Sequence, residues 1–311
     1  MYHVNALTGK DEANGSPDDD ILQGTVVFPG PPSEAYLLPS RTKTIVLLDP
    51  TNNIHLYPRT DENVQAFAEL APSLRFSLQT SSRGLHGYQI VRGANDKDTF
   101  SAYQTWSLSV PKDELIHSVI RPTQEPIASL GKVLGDRTTL YKYLNPHLFA
   151  VTTTSKPSQN AACSVYLVDG SKGSVIYHAS VASTKGPCGI EAVLSENWLV
   201  YGYYDEDFAG DHQTKGFRIV SVEVYEGKGI NEKTRRYGGV RVWLQLLTAV
   251  SFRSSELSSL SDKTLDVHFH ERSFETNQPV AALAATSTKF GMTTKNIIGQ
   301  SGSFVVLCLS I

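Results

Sequence analysis

The sequence predicts an all-β chain, a partial β-propeller of four-stranded antiparallel blades with few short helices. Three observations predict it. A hairpin phrase recurs along the chain at blade-like spacing, and most of the remaining chain alternates apolar with polar residues over short runs. The composition also favours strands: 14 Tyr, 12 Phe and many Val and Thr stand against 2 Met.

The phrase is clearest at residues 165–178, VYLVDGSKGSVIYH. Val165 and Leu167 alternate on one side of the Asp-Gly-Ser-Lys-Gly cluster, and Val175 and Tyr177 alternate on the other. The cluster itself is a turn, with Gly170 and Gly173 expected to supply positive φ and Asp169 and Ser171 to bond back to their own backbone. Residues 44–57, TIVLLDPTNNIHLY, repeat the pattern, and residues 2–10, YHVNALTGK, match it only as far as the turn. From Asn5 to Asp49 is 44 residues and from Asp49 to Asp169 is 120, or three steps of 40. Propeller blades repeat at about 40 to 45 residues.

Along the chain, residues 11–20, DEANGSPDDD, read as an exposed acidic loop before a strand at 25–28. Pro29-Gly30-Pro31-Pro32 then breaks the chain. Strands follow at 34–38, 44–48 and 54–57. Val64, Phe67, Ala68 and Leu70 fall at near-helical spacing, which predicts a short connecting helix over 63–70. Alternation returns in LRFSLQT, GYQIVRG and TFSAYQTWSLSV, where Trp106 is expected to pack between sheets and Pro111 to end the strand. Gly135 and Asp136 form a turn, residues 138–144 read as strand or a helical turn, and Asn145-Pro146 is a break. Strand resumes at 148–152. Residues 195–204, SENWLVYGYY, read as an aromatic strand opened by polar residues, and 217–225 as an alternating strand ended by Gly227. The tail, residues 303–311, reads as a buried strand or a frayed end.

Chemistry is sparse. A net charge of -3 leaves no footprint for nucleic acid. No apolar run reaches the roughly 18 residues of a membrane span, and no basic-then-apolar leader follows Met1. The sequence lacks a nucleophile elbow and a phosphate-cradling glycine loop, so no catalytic residue, cofactor or small-molecule substrate is expected. The metal candidates are His268 and His270, which share one face of a strand while Glu271 points away. Cys163, Cys188 and Cys308 form no C-x-x-C pair; Cys163 and Cys188 flank the quoted hairpin, and an oxidising compartment permits a bridge between them. Asn14-Gly15-Ser16 is a glycosylation acceptor for such a compartment.

A resemblance sharpens this reading. Residues 131–151, GKVLGDRTTLYKYLNPHLFAV, are similar to the conserved C-terminal lumenal region of subunit 1 of the endoplasmic reticulum membrane protein complex. Gly135, Asp136, Arg137, Leu140, Tyr141, Lys142, Tyr143, Leu144, Asn145 and Pro146 make the most specific run. Ser195-Glu196-Asn197-Trp198 followed by Tyr201 is a second marker. Similar stretches run through FRIVSVEVYEG, ERSF and PVAALAATSTKFGMTTKNII. The hairpin phrases also resemble the family's quinoprotein-like repeats.

The resemblance implies partial propeller blades over residues 1–128 and the family's C-terminal lumenal region over 129–311, divergent at 235–253 and 299–311. It further implies a non-catalytic scaffold at the lumenal side of the endoplasmic reticulum membrane. The partners would be other subunits of the complex and client membrane proteins, multi-pass and tail-anchored, whose insertion and folding the complex supports. The family's leader, early blades and membrane helix are not found in this chain. The alternative is a quinoprotein-like dehydrogenase, which needs a calcium-bound quinone and often adjacent cysteines; no adjacent cysteines and no carboxylate ligand set are found.

Overall fold

The computed structural model describes residues 31–38, 44–93, 99–122, 127, 129–155, 161–183, 189–205, 216–227, 267–276, 279–287, 295–301 and 305–310. The chain divides into two compact units, Met1–Leu74 with Gln89–Tyr103, and Arg75–Tyr88 with Gln104–Ile311.

In the first unit, β1 (Glu34–Leu37), β2 (Ile45–Leu48) and β3 (Asn53–Tyr57) form an antiparallel meander. The helix α1 (Asp61–Leu70) follows. It begins where Thr60 accepts a hydrogen bond from the Asn63 amide at 3.3 Å, and Asp61 and Glu62 place negative charge at its N-terminus. The helix buries Val64 and Phe67, and the Phe67 ring stands edge-on to Phe100 at 4.8 Å. Strands β4 (Arg75–Gln79), β5 (Gly84–Arg92) and β6 (Phe100–Ser109) come next in the chain. Within the first unit β6 pairs with β3, Ile54 opposite Phe100.

The second unit is a succession of sheets. It continues through β7 (Glu114–Ile120), β8 (Gly131–Val133), β9 (Thr139–Tyr141), β10 (Leu148–Ser155), β11 (Ala161–Asp169) and β12 (Ser174–Ser183). Then come β13 (Ile190–Ser195), β14 (Trp198–Asp205), β15 (Gly216–Glu226) and β16 (Val267–Thr276), followed by β17 (Val280–Ala285), β18 (Asn296–Ser301) and β19 (Val305–Ser310). Strands β7, β10, β11 and β12 form one four-stranded sheet in chain order, β13 to β16 form the next, and β17 to β19 form a third of three strands. The strands of these three sheets pair antiparallel. This is the blade pattern of a β-propeller.

Burial on both faces holds the sheets together. On β10, Leu148 and Ala150 face the core shared with Leu199, Tyr201, Val222 and Val224 of the next sheet, and Cys163, Val165 and Leu167 of β11 join them. The intervening Phe149 and Val151 face the other way, into a cluster with Leu85, Val110 and Ile116. On β14 the same split recurs: Leu199 and Tyr201 point one way, while Trp198 and Val200 pack with Ile219 and Ile297. Period-2 alternation therefore sorts each strand between two cores. Each fully buried aliphatic side chain contributes about 1.5–3 kcal/mol.

The recurring phrase has one physical origin. The Asp49 carboxylate accepts the Thr51 amide at 2.8 Å, the Thr51 hydroxyl at 2.6 Å and the Asn53 amide at 2.8 Å. Asp169 accepts the Ser171 amide at 2.9 Å and hydroxyl at 2.6 Å, and Asp136 does the same with Thr138 at 3.0 and 2.6 Å. Each carboxylate closes its own turn. Burial works to raise the Asp49 carboxyl, but the bonds from Thr51, His55 and Asn53 outweigh it and hold the group well below the usual range.

Several expectations need correction. Gly173 has positive φ, at 70°, but Gly170 does not; a side chain at Gly170 would meet the His147 carbonyl at 2.6 Å, so close approach is its role. The β11–β12 register shifts between Leu167 and Val168, so Tyr177 faces the core while Val175, opposite Val168, lies 41% exposed. The bulge breaks the alternation expected of Val175 and Tyr177. Ser195 to Trp198 is a hairpin turn between β13 and β14 rather than the start of a strand. Strands β7, β8, β13, β17 and β18 are additional to the sequence reading. The expected strand at 25–28 and the stretch 235–253 lie outside the described residues.

Trp106 does pack between sheets. Its indole N–H donates to the Gly170 carbonyl at 2.7 Å, and its ring lies parallel to Phe149 at 6.2 Å. Side-chain atoms at Gly87 or Gly173 would fall within 1.9 and 2.6 Å of that indole. Glycine at both positions makes room for it.

Candidate functional site

The two marker stretches, 135–146 and 195–201, meet in space. After the Asp136 turn and the short strand β9, Lys142 extends its ammonium to the Glu196 carboxylate at 2.6 Å, and both side chains are nearly buried. Glu196 sits in the β13–β14 turn with φ of 54°, a conformation that costs a non-glycine residue roughly 1–3 kcal/mol and persists only when neighbours fix it. Lys142 supplies that fixation. Beside it the Tyr143 amide donates to the Val224 carbonyl at 3.0 Å, the Asn197 side-chain amide donates to the same carbonyl at 2.7 Å, and the Val224 amide donates to the Asn197 carbonyl at 2.9 Å. Trp198 is 3% exposed, and its indole N–H donates to the Ser221 hydroxyl at 2.6 Å. The polar marker residues are thus spent on joining one sheet to the next.

The outer strand β16 carries the histidines. His268 and His270 share a face, with ring centroids 4.7 Å apart and planes at 80°. Tyr225, the cross-strand partner of His268, meets His270 edge-on at 5.5 Å and donates its hydroxyl to Glu223, the cross-strand partner of His270. Lys132 lies 3.5 Å from Glu223. Desolvation, with His268 adding to it, lowers the His270 pKa, while Glu223 works the other way. Burial and the Glu223 charge raise the Tyr225 phenol.

Glu271 points to the opposite face, where it accepts the Tyr177 hydroxyl at 3.1 Å; the Tyr177 and Tyr201 hydroxyls are 3.2 Å apart. That chain ties the outer strands of neighbouring sheets. Burial pushes the Tyr201 phenol up to about 12.

Sequence reasoning missed one polar centre. Glu114, 6% exposed, accepts hydrogen bonds from Thr153 at 2.6 Å, Ser164 at 2.8 Å and Tyr166 at 3.3 Å. Every donor is a hydroxyl on β10 or β11, so the carboxylate pins three strands. The Pro-Lys-Asp ahead of it reads as loop, and nothing local marks Glu114 as buried.

Among the described residues no three His, Cys, Asp or Glu side chains come together as metal ligands, and no helix is long and apolar enough to cross a membrane. Cys163 is fully buried and disulfide-bonded. Cys188 and Asn14 lie outside the described residues.

The family described as "ER membrane protein complex subunit 1, second beta-propeller" matches residues 1–308, which includes the first 128 residues and the stretch 235–253. The chain is 28% identical to ER membrane protein complex subunit 1 of Xenopus laevis over 318 residues and 27% identical to that of Gallus gallus over 320. Both alignments cover 99% of this chain, and 28% of the relative. The Schizosaccharomyces pombe protein of the same name is 37% identical over 129 residues, 41% of this chain and 14% of the relative. The chain spans under a third of the length of these curated relatives. The antiparallel blades, the joined markers and a match over nearly every residue agree: this chain belongs to the family of the second β-propeller of ER membrane protein complex subunit 1.

Proposed function

We propose that this chain is the second-propeller part of an ER membrane protein complex subunit and acts as a non-catalytic scaffold on the lumenal side of the membrane. Its partners are the other subunits, and through them it supports insertion and folding of multi-pass and tail-anchored client proteins. The fate of the marker residues carries this reading. Lys142, Glu196, Asn197 and Tyr143 satisfy one another or the backbone between sheets, and none of them is left to act on a substrate. In the oxidising lumen, Cys163 is bridged to Cys188 and Asn14 is glycosylated.

Co-purification tests the proposal. Tagged chain expressed in cells whose endoplasmic reticulum carries the complex, and recovered from solubilised microsomes, is expected to bring other subunits with it. Folded chain recovered without any of them would overturn the assignment. Quinone turnover in the presence of calcium would instead favour a dehydrogenase.

A further inference from the structure

We propose that His268 and His270 form a two-imidazole chelate for a borderline divalent cation of the zinc type on the outer strand of the β13–β16 sheet. The spacing of the rings is the first argument. With a metal–nitrogen bond of about 2.0–2.1 Å, each imidazole centroid lies about 3.2 Å from the ion, so two rings bound at a right or tetrahedral angle stand about 4.5–5.2 Å apart. The rings of His268 and His270 are 4.7 Å apart. Alternation along β16 puts both imidazoles on one face; the rings stand edge to face with planes at 80°, and turning them about their side-chain bonds aims a nitrogen of each at one ion.

The surroundings supply the second argument. The Tyr225 ring closes the inner side of the pair, and Glu223 places a carboxylate across the strand from His270, held by the Tyr225 hydroxyl and by Lys132. That carboxylate offsets part of the ion's charge. Lys132 and Arg272 oppose it; Lys132 is already paired with Glu223, and Arg272 is exposed, so water screens it. Among the described residues no third His, Cys, Asp or Glu completes a ligand set. His270 is exposed, so water or a group from a partner would fill the other coordination positions.

Zinc titration of the chelator-treated chain, followed by calorimetry at neutral pH, tests the site. One zinc equivalent is expected, and His268→Ala and His270→Ala should each weaken binding about tenfold or more, since lost supporting groups alone cost about 10–100-fold. His117→Ala, at an exposed position on another sheet, should leave binding unchanged. Should His268→Ala fail to fold, the exposed His270→Ala carries the test, together with zinc-induced shifts of both imidazole resonances in the unmodified chain. Absence of zinc binding, or binding indifferent to both substitutions, would overturn the proposal.

Discussion

Single residues in this chain do two jobs when they sit between sheets. Trp198 fills the core with Val200, Ile219 and Ile297 and also bonds Ser221. Removing it leaves a large cavity and an orphaned hydroxyl, so Trp198→Ala is expected to cost about 3–5 kcal/mol, read as a lower urea midpoint. A small loss of stability joined to loss of subunit capture would make Trp198 an interface anchor instead. Asp49, Asp136 and Asp169 act more locally, each closing a turn within its own hairpin.

Elements are joined by a few long-range polar contacts. The Lys142–Glu196 pair ties the β9 segment to the β13–β14 turn across 54 residues. Because both side chains are nearly buried, deleting either strands a charge, and Lys142→Ala or Glu196→Ala is expected to cost about 3–5 kcal/mol. The double substitution should cost less than the sum, a coupling that a double-mutant cycle measures. Additive losses would show that the pair holds nothing together. The Tyr177, Tyr201 and Glu271 chain links outer strands in the same way.

At the scale of the whole molecule, buried tyrosines tie stability to alkaline pH. Burial pushes Tyr143 and Tyr201 up to about 12, with the Asn145 bond opposing it at Tyr143 and the Tyr177 bond at Tyr201. The folded state therefore keeps these protons at a pH where the unfolded chain, with phenols near about 10, has lost them. Their contribution is whole below about pH 10 and is lost as pH rises towards 12. Urea unfolding across that range, paired with phenolate absorbance, should show midpoints falling before the last tyrosines ionise. A midpoint flat up to pH 12 would contradict the burial of these rings.

Much of the fold was legible because alternation and turn chemistry are local. β1 to β6, α1, β11, β12, β15 and the shared face of His268 and His270 all follow from residues a few positions apart. Other features depended on partners distant in the chain. Glu114 became a buried centre only because β10 and β11 bring three hydroxyls to it, and Lys142 found Glu196 only once the sheets stacked. The β12 bulge likewise answers to the register of β11, not to its own sequence. The sequence by itself determined which residues face alike and where the chain turns, since both are set by neighbouring dihedrals. Tertiary structure alone decided which faces meet and which charges pair, since those choices rest on contacts that no local period encodes.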